Sequence, residues 1–276
     1  MGRTIACANQ KGGVGKTTTV VNLASLLGLA GDRILIVDLD PQGNATSGLG
    51  IDRARLEHST YDGIIDEAEI ARLIVRAGSD RVDVVPSAIA LAGAEVELAG
   101  SAGRERRLRA LLEPVVDEYD VIFVDCPPSL GLLTVNALTA ADAVLIPLQC
   151  EYYALEGLTQ LLATIDLVRD HLNPRLAIDG VVLTMADGRT NLSAQVELEA
   201  RRHLDGAVYD TVIPRSVRLS EAPSHGRSIV GYAPGSRGGL AYSALADEFR
   251  RRDAHRRADP YGASRTLAGA GVGMPS

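Results

Sequence analysis

The chain has 276 residues, of which 46% are hydrophobic, and its formal net charge is −7. This length allows one large core or two modest ones, and the acidic balance excludes nucleic-acid binding through overall charge. The three cysteines, Cys7, Cys126 and Cys150, lie in or beside apolar runs without metal-ligand spacing, as reduced intracellular thiols do. We find no signal peptide and no apolar run of transmembrane length, and we therefore expect a cytoplasmic protein without membrane contact.

A glycine-rich turn follows the first predicted strand, which covers Thr4 to Ala8, and precedes a helix predicted from Thr19 to Ala30. The backbone N–H groups of such a turn, together with the positive end of a helix dipole, form a cradle for phosphate. The residues expected to bind nucleotide phosphates are Lys11, Gly12, Gly13, Val14, Gly15, Lys16, Thr17 and Thr18. The pattern predicts that Lys16 reaches the β- and γ-phosphates and that the Thr17 hydroxyl ligates Mg²⁺.

The loop differs from the common phosphate-binding loop at its first position. The common pattern needs glycine at position 10, where this chain has Gln10, and a second lysine, Lys11, opens the loop. Two lysines that flank Gly-Gly-Val-Gly resemble the deviant Walker A motif. The resemblance implies that Lys11 reaches the nucleotide of a partner subunit across a dimer.

The remaining apolar runs alternate between strand and helix patterns. Strands are predicted at 33–38, 82–86, 120–125, 143–147, 178–184 and 211–214, and helices at 132–140, 155–171, 192–203 and 239–252, with a mainly helical segment at 88–112. Residues 52–80 form a mixed, mainly helical insert. Continuous apolar strands are typical of sheets covered on both faces. The succession predicts an α/β fold with a doubly wound, mostly parallel sheet flanked by helices, as in P-loop NTPases of the deviant Walker A class.

This ATPase domain is predicted to span residues 1–252. Residues 253–276 are rich in Arg, Ala, Gly and Pro, and we expect them to be a disordered basic tail. The arginines between 250 and 257 have two possible roles at this stage, a flexible basic arm or a merely soluble tail.

Aspartates end two of the predicted strands, at Asp38 and Asp125, and Asp40 follows two residues after Asp38. Ligands of doubly wound sheets bind at the carboxyl ends of strands, so these carboxylates and Lys16 are expected to meet there. Asp125 closes a Walker B pattern and should hold Mg²⁺ through a water, with Asp38 supporting the loop and the metal's surroundings. Asp40 is the candidate that orients the attacking water. Capping of helices or turns stays an alternative role for each aspartate, most of all for Asp38.

Five motifs occur in order and together resemble the ParA/Soj family of chromosome- and plasmid-partitioning ATPases. They are the glycine-rich loop, Asp38-Leu-Asp-Pro-Gln-Gly-Asn44, Val124-Asp-Cys-Pro-Pro128, Leu183-Thr-Met-Ala-Asp-Gly-Arg-Thr-Asn191, and the stretch from Val212 to Gly226. The resemblance implies a Mg²⁺-dependent ATPase that forms an ATP-sandwich homodimer. It also implies binding to nucleoid DNA without sequence preference, and hydrolysis stimulated by a ParB-like centromere-binding partner.

By the same resemblance, Met185 and Pro214 line the adenine pocket, and Arg189 and Arg218 contact DNA phosphates. Arginine pairs with phosphate through two N–H groups, and such contacts carry affinity without sequence information. A solvated arginine at each position is the simpler alternative.

Four other classes have a similar loop or fold. An autophosphorylating tyrosine kinase needs a tyrosine-rich tail, whereas this tail has Tyr261 alone. A MinD-type membrane ATPase needs an amphipathic C-terminal helix, whereas the only bulky apolar residues at 250–276 are Leu267, Val272 and Met274. The nitrogenase iron protein needs cysteines that bridge a cluster between subunits, and Cys126 and Cys150 do not match that pattern. A ligase or kinase of the same fold needs a small-substrate pocket, and the long motif at 212–226 favours partitioning instead.

Overall fold

The computed structural model describes residues 2–78, 80–151, 154–187, 191–204 and 206–258. The strands are β1 Arg3–Cys7, β2 Ile34–Asp38, β3 Val75–Ala77, β4 Val82–Val85, β5 Val121–Asp125, β6 Ala143–Gln149 and β7 Ala177–Thr184. Within the described residues they form one sheet with the order β3-β4-β2-β5-β1-β6-β7. The pairing of β3 with β4 is antiparallel and the other pairings are parallel. The predicted doubly wound, mostly parallel sheet is thus confirmed.

Helices connect the parallel strands and cover both faces of the sheet. They are α1 Lys16–Leu29, α2 Asn44–Gly48, α3 Thr60–Ile65, α4 Ile70–Leu73, α5 Leu91–Leu98, α6 Arg107–Leu112, α7 Leu132–Ala140, α8 Ala154–His171, α9 Asn191–His203, α10 Val217–Glu221, α11 Ile229–Tyr232 and α12 Arg237–Ala258. Short 3-10 helices lie at Arg53–Arg55, Arg104–Arg106 and Ala222–His225. No helix in the described part of the chain is long and apolar enough to cross a membrane.

The central strands lack an alternation of apolar and polar residues because both of their faces are buried. Every residue of β2 and β5 is buried. In β5, Val121 and Phe123 pack in a core with residues of α1 and α12, whereas Ile122 and Val124 pack in a second core with residues of α5 to α9. A strand with an apolar core on each face needs apolar residues at successive positions.

Residues 88–112, which the sequence predicts to be mainly helical, are interrupted by glycine. The segment contains α5 and α6 as separate helices, with Gly103 between them at a φ of 69°. This left-handed conformation is easily adopted by glycine and does not continue a right-handed helix.

The strand predicted at 211–214 is not formed. Pro214 instead joins Ala186 through an isolated parallel bridge. Proline has no N–H to donate to a ladder, which limits strand formation at this position. β3 was not predicted, because its three residues are too few for a periodic pattern.

The last helix extends six residues beyond its predicted end, so that residues 253–258 are helical and residues 259–276 lie outside the described part. Several of its arginines form ion pairs within the fold: Arg250 with Asp32 at 2.6 Å, Arg252 with Glu248 at 2.9 Å and Arg256 with Asp179 at 2.5 Å. The pairs of Arg250 and Arg256 connect α12 to the loop before β2 and to β7, whereas the pair of Arg252 with Glu248 lies within α12. They argue against a free basic arm at 250–257.

Candidate nucleotide-binding site

The glycine-rich loop joins the end of β1 to the start of α1 at the carboxyl edge of the sheet. Gly13 and Gly15 have φ values of 74° and 90°, which L side chains rarely adopt. Gly15 caps α1 without a side-chain hydrogen bond, and the first turn of α1 contains no acidic residue. The first N–H groups of α1 are therefore available to an anion. A Cβ at Gly13 would meet nothing within 4 Å, so the cradle is open at this point.

The two lysines of the loop both have internal partners. The Lys16 side chain is buried, and its ammonium donates to the Lys11 carbonyl at 3.2 Å. The Lys11 ammonium lies 3.0 Å from the Glu151 carboxylate, just after the end of β6. The Asn9 side chain accepts from the Lys11 N–H at 3.0 Å and fixes the start of the loop. A bound nucleotide would thus have to replace the Lys11 carbonyl at Lys16, and the Glu151 carboxylate at Lys11, with its phosphate oxygens.

Asp125 is a fully buried carboxylate at the end of β5, opposite Asp38 in the register of β2. Neither of its oxygens has a hydrogen-bond partner in the described residues. Burial and the charge of Asp38 raise the pKa of Asp125 well above its usual range, while Thr17 and Lys16 act in the opposite direction. A buried carboxylate without a partner is costly, and a cation or a cation-bound water would relieve that cost.

Asp38 shapes the loop that follows β2. Its carboxylate accepts from the Thr46 N–H at 2.8 Å, the Thr46 hydroxyl at 2.6 Å and the Asp40 N–H at 3.3 Å. Burial raises the pKa of Asp38 to about 6, and the hydrogen bonds from Thr46 limit that rise. Asp38 therefore has the structural role that the sequence analysis kept as an alternative, because it stabilises the turn that follows β2. A role next to a metal ion stays a prediction.

Asp40 lies in the loop that Asp38 holds. Its carboxylate accepts from the Gln42 N–H at 2.9 Å, and its carbonyl accepts from the Ser87 hydroxyl at 2.6 Å. The side chain is 7% exposed and lines the cavity above the glycine-rich loop. This position suits a group that acts on a water molecule beside the phosphates.

A cavity of about 390 Å³ brings most of the predicted residues together. The predicted residues that line it are Gly12, Gly13, Gly15, Lys16, Thr17, Thr18, Asp40 and Met185. Val14 is buried below the loop, where its carbonyl accepts from the Thr184 hydroxyl at 2.8 Å. Met185 has a φ of 52°, a conformation that non-glycine residues adopt rarely and often at functional sites.

Pro214 does not lie among the described residues that line the cavity. Ala222, Pro223 and Arg227 do, together with Asn22 of α1. The Asn22 side chain donates to the Thr18 carbonyl at 2.7 Å and accepts from the Ile229 N–H at 2.6 Å. Asn22 therefore ties the segment after α10 to the phosphate-binding helix. The motif at 212–226 marked this segment in the sequence, but not the residues within it that would face a ligand.

Of the two predicted DNA contacts, only Arg218 is among the described residues. Arg189 lies outside the described residues. Arg218 is on α10 with its side chain 58% exposed, and it pairs with Glu221 at 2.8 Å.

Known proteins resemble this chain over nearly its whole length. Residues 2–178 match the AAA domain family. The chain is 58% identical over 248 residues to the sporulation initiation inhibitor protein Soj of Bacillus subtilis, covering 90% of this chain and 98% of that protein. It is 52% identical over 253 residues to the chromosome partitioning protein ParA of Myxococcus xanthus, covering 92% and 89%.

Solved structures also resemble the chain. A cobyrinic acid a,c-diamide synthase from Mycobacterium smegmatis with bound ADP and magnesium has a TM-score of 0.81 at 39% identity, covering 92% of this chain and 96% of that one. The cell division ATPase MinD of Pyrococcus furiosus has a TM-score of 0.73 at 29% identity, covering 91% and 99%.

The sheet order and the glycine-rich loop between β1 and α1 define a P-loop ATPase fold. The identities to Soj and ParA over nearly the whole chain narrow this class. The chain belongs to the ParA/Soj family of chromosome-partitioning ATPases, as the five motifs predicted.

Proposed function

We propose that the protein is an ATP-dependent partitioning switch. In this proposal ATP and Mg²⁺ drive sandwich dimerisation, the dimer binds duplex DNA without sequence preference, and hydrolysis stimulated by a ParB-like partner releases it. The observation that carries the proposal is the buried carboxylate of Asp125 next to the phosphate-binding loop, whose oxygens have no hydrogen-bond partner in the described residues. A divalent cation that is bound to the nucleotide phosphates would supply the positive charge that this carboxylate needs.

The residues present fit this ligand. Thr17 and, through a water, Asp125 would hold Mg²⁺, and the bound ion would neutralise charge on the β- and γ-phosphates. Lys16 would exchange the Lys11 carbonyl for phosphate oxygens, and the free N–H groups of α1 would complete the cradle. The ADP and magnesium in the Mycobacterium smegmatis structure support the same ligands for this chain.

Hydrolysis is assigned to Asp40. Phosphoryl transfer depends on positioning and charge neutralisation, so a carboxylate that orients water is the main group to be supplied. Asp40 lines the cavity and is held by backbone hydrogen bonds of its loop. Met185 lines the same cavity, and we assign to it the contact with the adenine base. Pro214 supports this contact indirectly, because its bridge to Ala186 positions the residue next to Met185.

Dimerisation is assigned to Lys11, because two triphosphates that face each other repel unless cations lie between them. DNA binding is assigned to Arg189 and Arg218. A ParB-like partner and association with the nucleoid rest on the family membership and belong to the same proposal.

Amide synthesis is the competing function, since one solved relative is a cobyrinic acid a,c-diamide synthase at 39% identity. The partitioning relatives are nearer, with 58% and 52% identity over 90% and 92% of the chain. Identity over the whole length therefore favours partitioning.

A direct test measures retention of the full chain on a non-specific duplex with ATP, with ADP and without nucleotide. The ATPase rate is measured in parallel with and without the duplex. We expect retention only with ATP and a rate that rises with duplex. Equal retention in all three conditions, with a rate indifferent to duplex, would contradict the proposal and favour the ligase or membrane classes.

A further inference from the structure

The surface around α10 carries more positive charge than Arg218 alone. Arg215 precedes α10 with its side chain 65% exposed, Val217 begins α10 and is 72% exposed, and Arg237 begins α12 and is exposed. We call these four residues, Arg215, Val217, Arg218 and Arg237, the α10 surface. Two of its three exposed guanidinium groups have carboxylate partners, Arg215 with Glu151 at 3.8 Å and Arg218 with Glu221 at 2.8 Å.

Arg237 is placed beside α10 by the packing of the residue that follows it. A Cβ at Gly238 would lie 2.7 Å from Leu219 Cγ and 3.2 Å from Ser216 Oγ. A larger residue would push the two helices apart, so the first turn of α12 lies directly against α10. Among the described residues, the Arg237 guanidinium has no ion pair and no hydrogen bond, and its charge is available to a ligand.

Arg218 has a competitor inside the protein. Glu221 lies one helical turn away and its carboxylate is 2.8 Å from the Arg218 guanidinium. The Tyr232 hydroxyl donates to the same carboxylate at 3.2 Å and holds it in place. The pair with Arg218 lowers the pKa of Glu221, so the carboxylate is ionised when DNA would bind. Any phosphate that contacts Arg218 must displace or share this partner.

The other arginines of α12 are poorer candidates, Arg251 because it lies about 21 Å along the helix from Arg237 and the rest because they are already paired. Arg250, Arg252 and Arg256 are paired with carboxylates of the fold. Positive charge that is already neutralised adds little to phosphate binding, because no counterion is released from the DNA by an arginine that keeps its own carboxylate.

We propose that Arg237 contacts DNA phosphate beside Arg218, and that Glu221 competes with phosphate for Arg218. This inference rests on the proposed DNA binding of the ATP-bound dimer. It assigns a contact that the sequence did not suggest, and it predicts effects of opposite sign at two neighbouring positions.

The test uses the full chain with ATP and a non-specific duplex over a series of salt concentrations. Arg237→Gln should weaken binding and reduce the slope of log affinity against log salt by about 0.9 for each phosphate that is no longer neutralised, or about 1.8 per dimer. Glu221→Gln should strengthen binding by about twofold per protomer, since exposed ion pairs of this kind are weak. Glutamine can still accept from Tyr232, so the fold around α10 is preserved.

Arg251→Gln is the matched control. Arg251 is an exposed arginine of the same helix, without an ion pair in the described residues, and it lies about 21 Å along the helix from Arg237. We expect its affinity and salt slope to equal those of the wild type. If Arg237→Gln behaves like Arg251→Gln, or if Glu221→Gln weakens binding, the inference is wrong while the DNA-binding proposal stands. A wild-type protein that does not bind duplex with ATP overturns both.

Discussion

The Lys11 ammonium lies 3.0 Å from the Glu151 carboxylate within one chain. Lys11 contacts the Oε2 atom of this carboxylate. The other oxygen, Oε1, accepts from the Gln149 side chain at 2.5 Å and lies 3.8 Å from the Arg215 guanidinium. The lysine assigned to the dimer interface is therefore engaged inside its own subunit. Dimerisation by the proposed route has to exchange this carboxylate for the phosphates of a partner.

Lys11→Ala should bind ATP with affinity close to that of the wild type and remain monomeric. The residue is at the edge of the loop and 39% exposed, whereas the buried Lys16 stays in place to meet the phosphates of its own nucleotide. Calorimetry with ATP and analytical ultracentrifugation measure the two properties. A variant that dimerises like the wild type would show that Lys11 is only a turn residue.

Glu151→Gln is the contrasting variant for the same contact. It removes the internal partner of Lys11 but keeps the lysine, so dimers should form at lower ATP concentration than in the wild type. The exposed pair is weak, and the shift should be about two- to fivefold. Loss of ATP-dependent dimers in this variant would mean that Glu151 supports the interface rather than restrains it.

Lys16→Ala should lose ATP binding. The ammonium is buried next to the cradle, and its loss removes a charge-assisted contact to the β- and γ-phosphates. We expect affinity to fall by about 100-fold, which corresponds to about 2.7 kcal/mol. Calorimetry that gives the same affinity for ATP and Mg²⁺ as the wild type would refute the role given to Lys16.

Asp40→Ala should keep ATP and lose hydrolysis. The side chain lines the cavity but is assigned to water and not to the phosphates, so affinity should change by less than about threefold, and kcat should fall by about 10²- to 10⁴-fold. The variant should accumulate as an ATP-bound dimer. Sedimentation that shows only monomer with ATP would count against this assignment.

Much of the site was predictable because its chemistry is local in the chain. The loop between β1 and α1 is continuous, and Asp38 and Asp125 end strands whose apolar runs are plain in the sequence. Parallel strands bring their carboxyl ends to one edge, which explains why Asp38 faces Asp125 in the register.

The contacts that connect distant segments were not predictable. Glu151 reaches Lys11 across 140 residues, and Asn22 meets Ile229 across 207 residues. No periodic pattern encodes such pairs, because they depend on how helices pack on the sheet. The roles of Asp38 and Asp125 diverge for the same reason, since only the fold shows which carboxylate Thr46 approaches.

The last prediction concerns the stability of the nucleotide-free protein. Asp125→Asn removes a buried carboxylate that has no partner in the described residues and that faces Asp38. Relief of an unpaired buried charge is worth about 1–3 kcal/mol, so the melting temperature should rise, by about 2–4 °C for each kcal/mol. Scanning calorimetry without nucleotide measures it. The same variant should lose the additional stabilisation that ATP and Mg²⁺ give to the wild type.

Asp38→Asn provides the matched comparison at the neighbouring strand end. Its Oδ2 accepts from both the N–H and the hydroxyl of Thr46 and its Oδ1 accepts from the Asp40 N–H, whereas an amide has only one oxygen to accept with. This variant should melt below the wild type, since the amide nitrogen must face either the Asp40 N–H or the two Thr46 donors, which are then left without an acceptor. Opposite shifts for two buried aspartates that face each other would show that Asp125 is kept for a ligand and Asp38 for the loop. A lower melting temperature for both variants would mean that Asp125 is stabilised by the fold itself, and the case for a cation at that carboxylate would be lost.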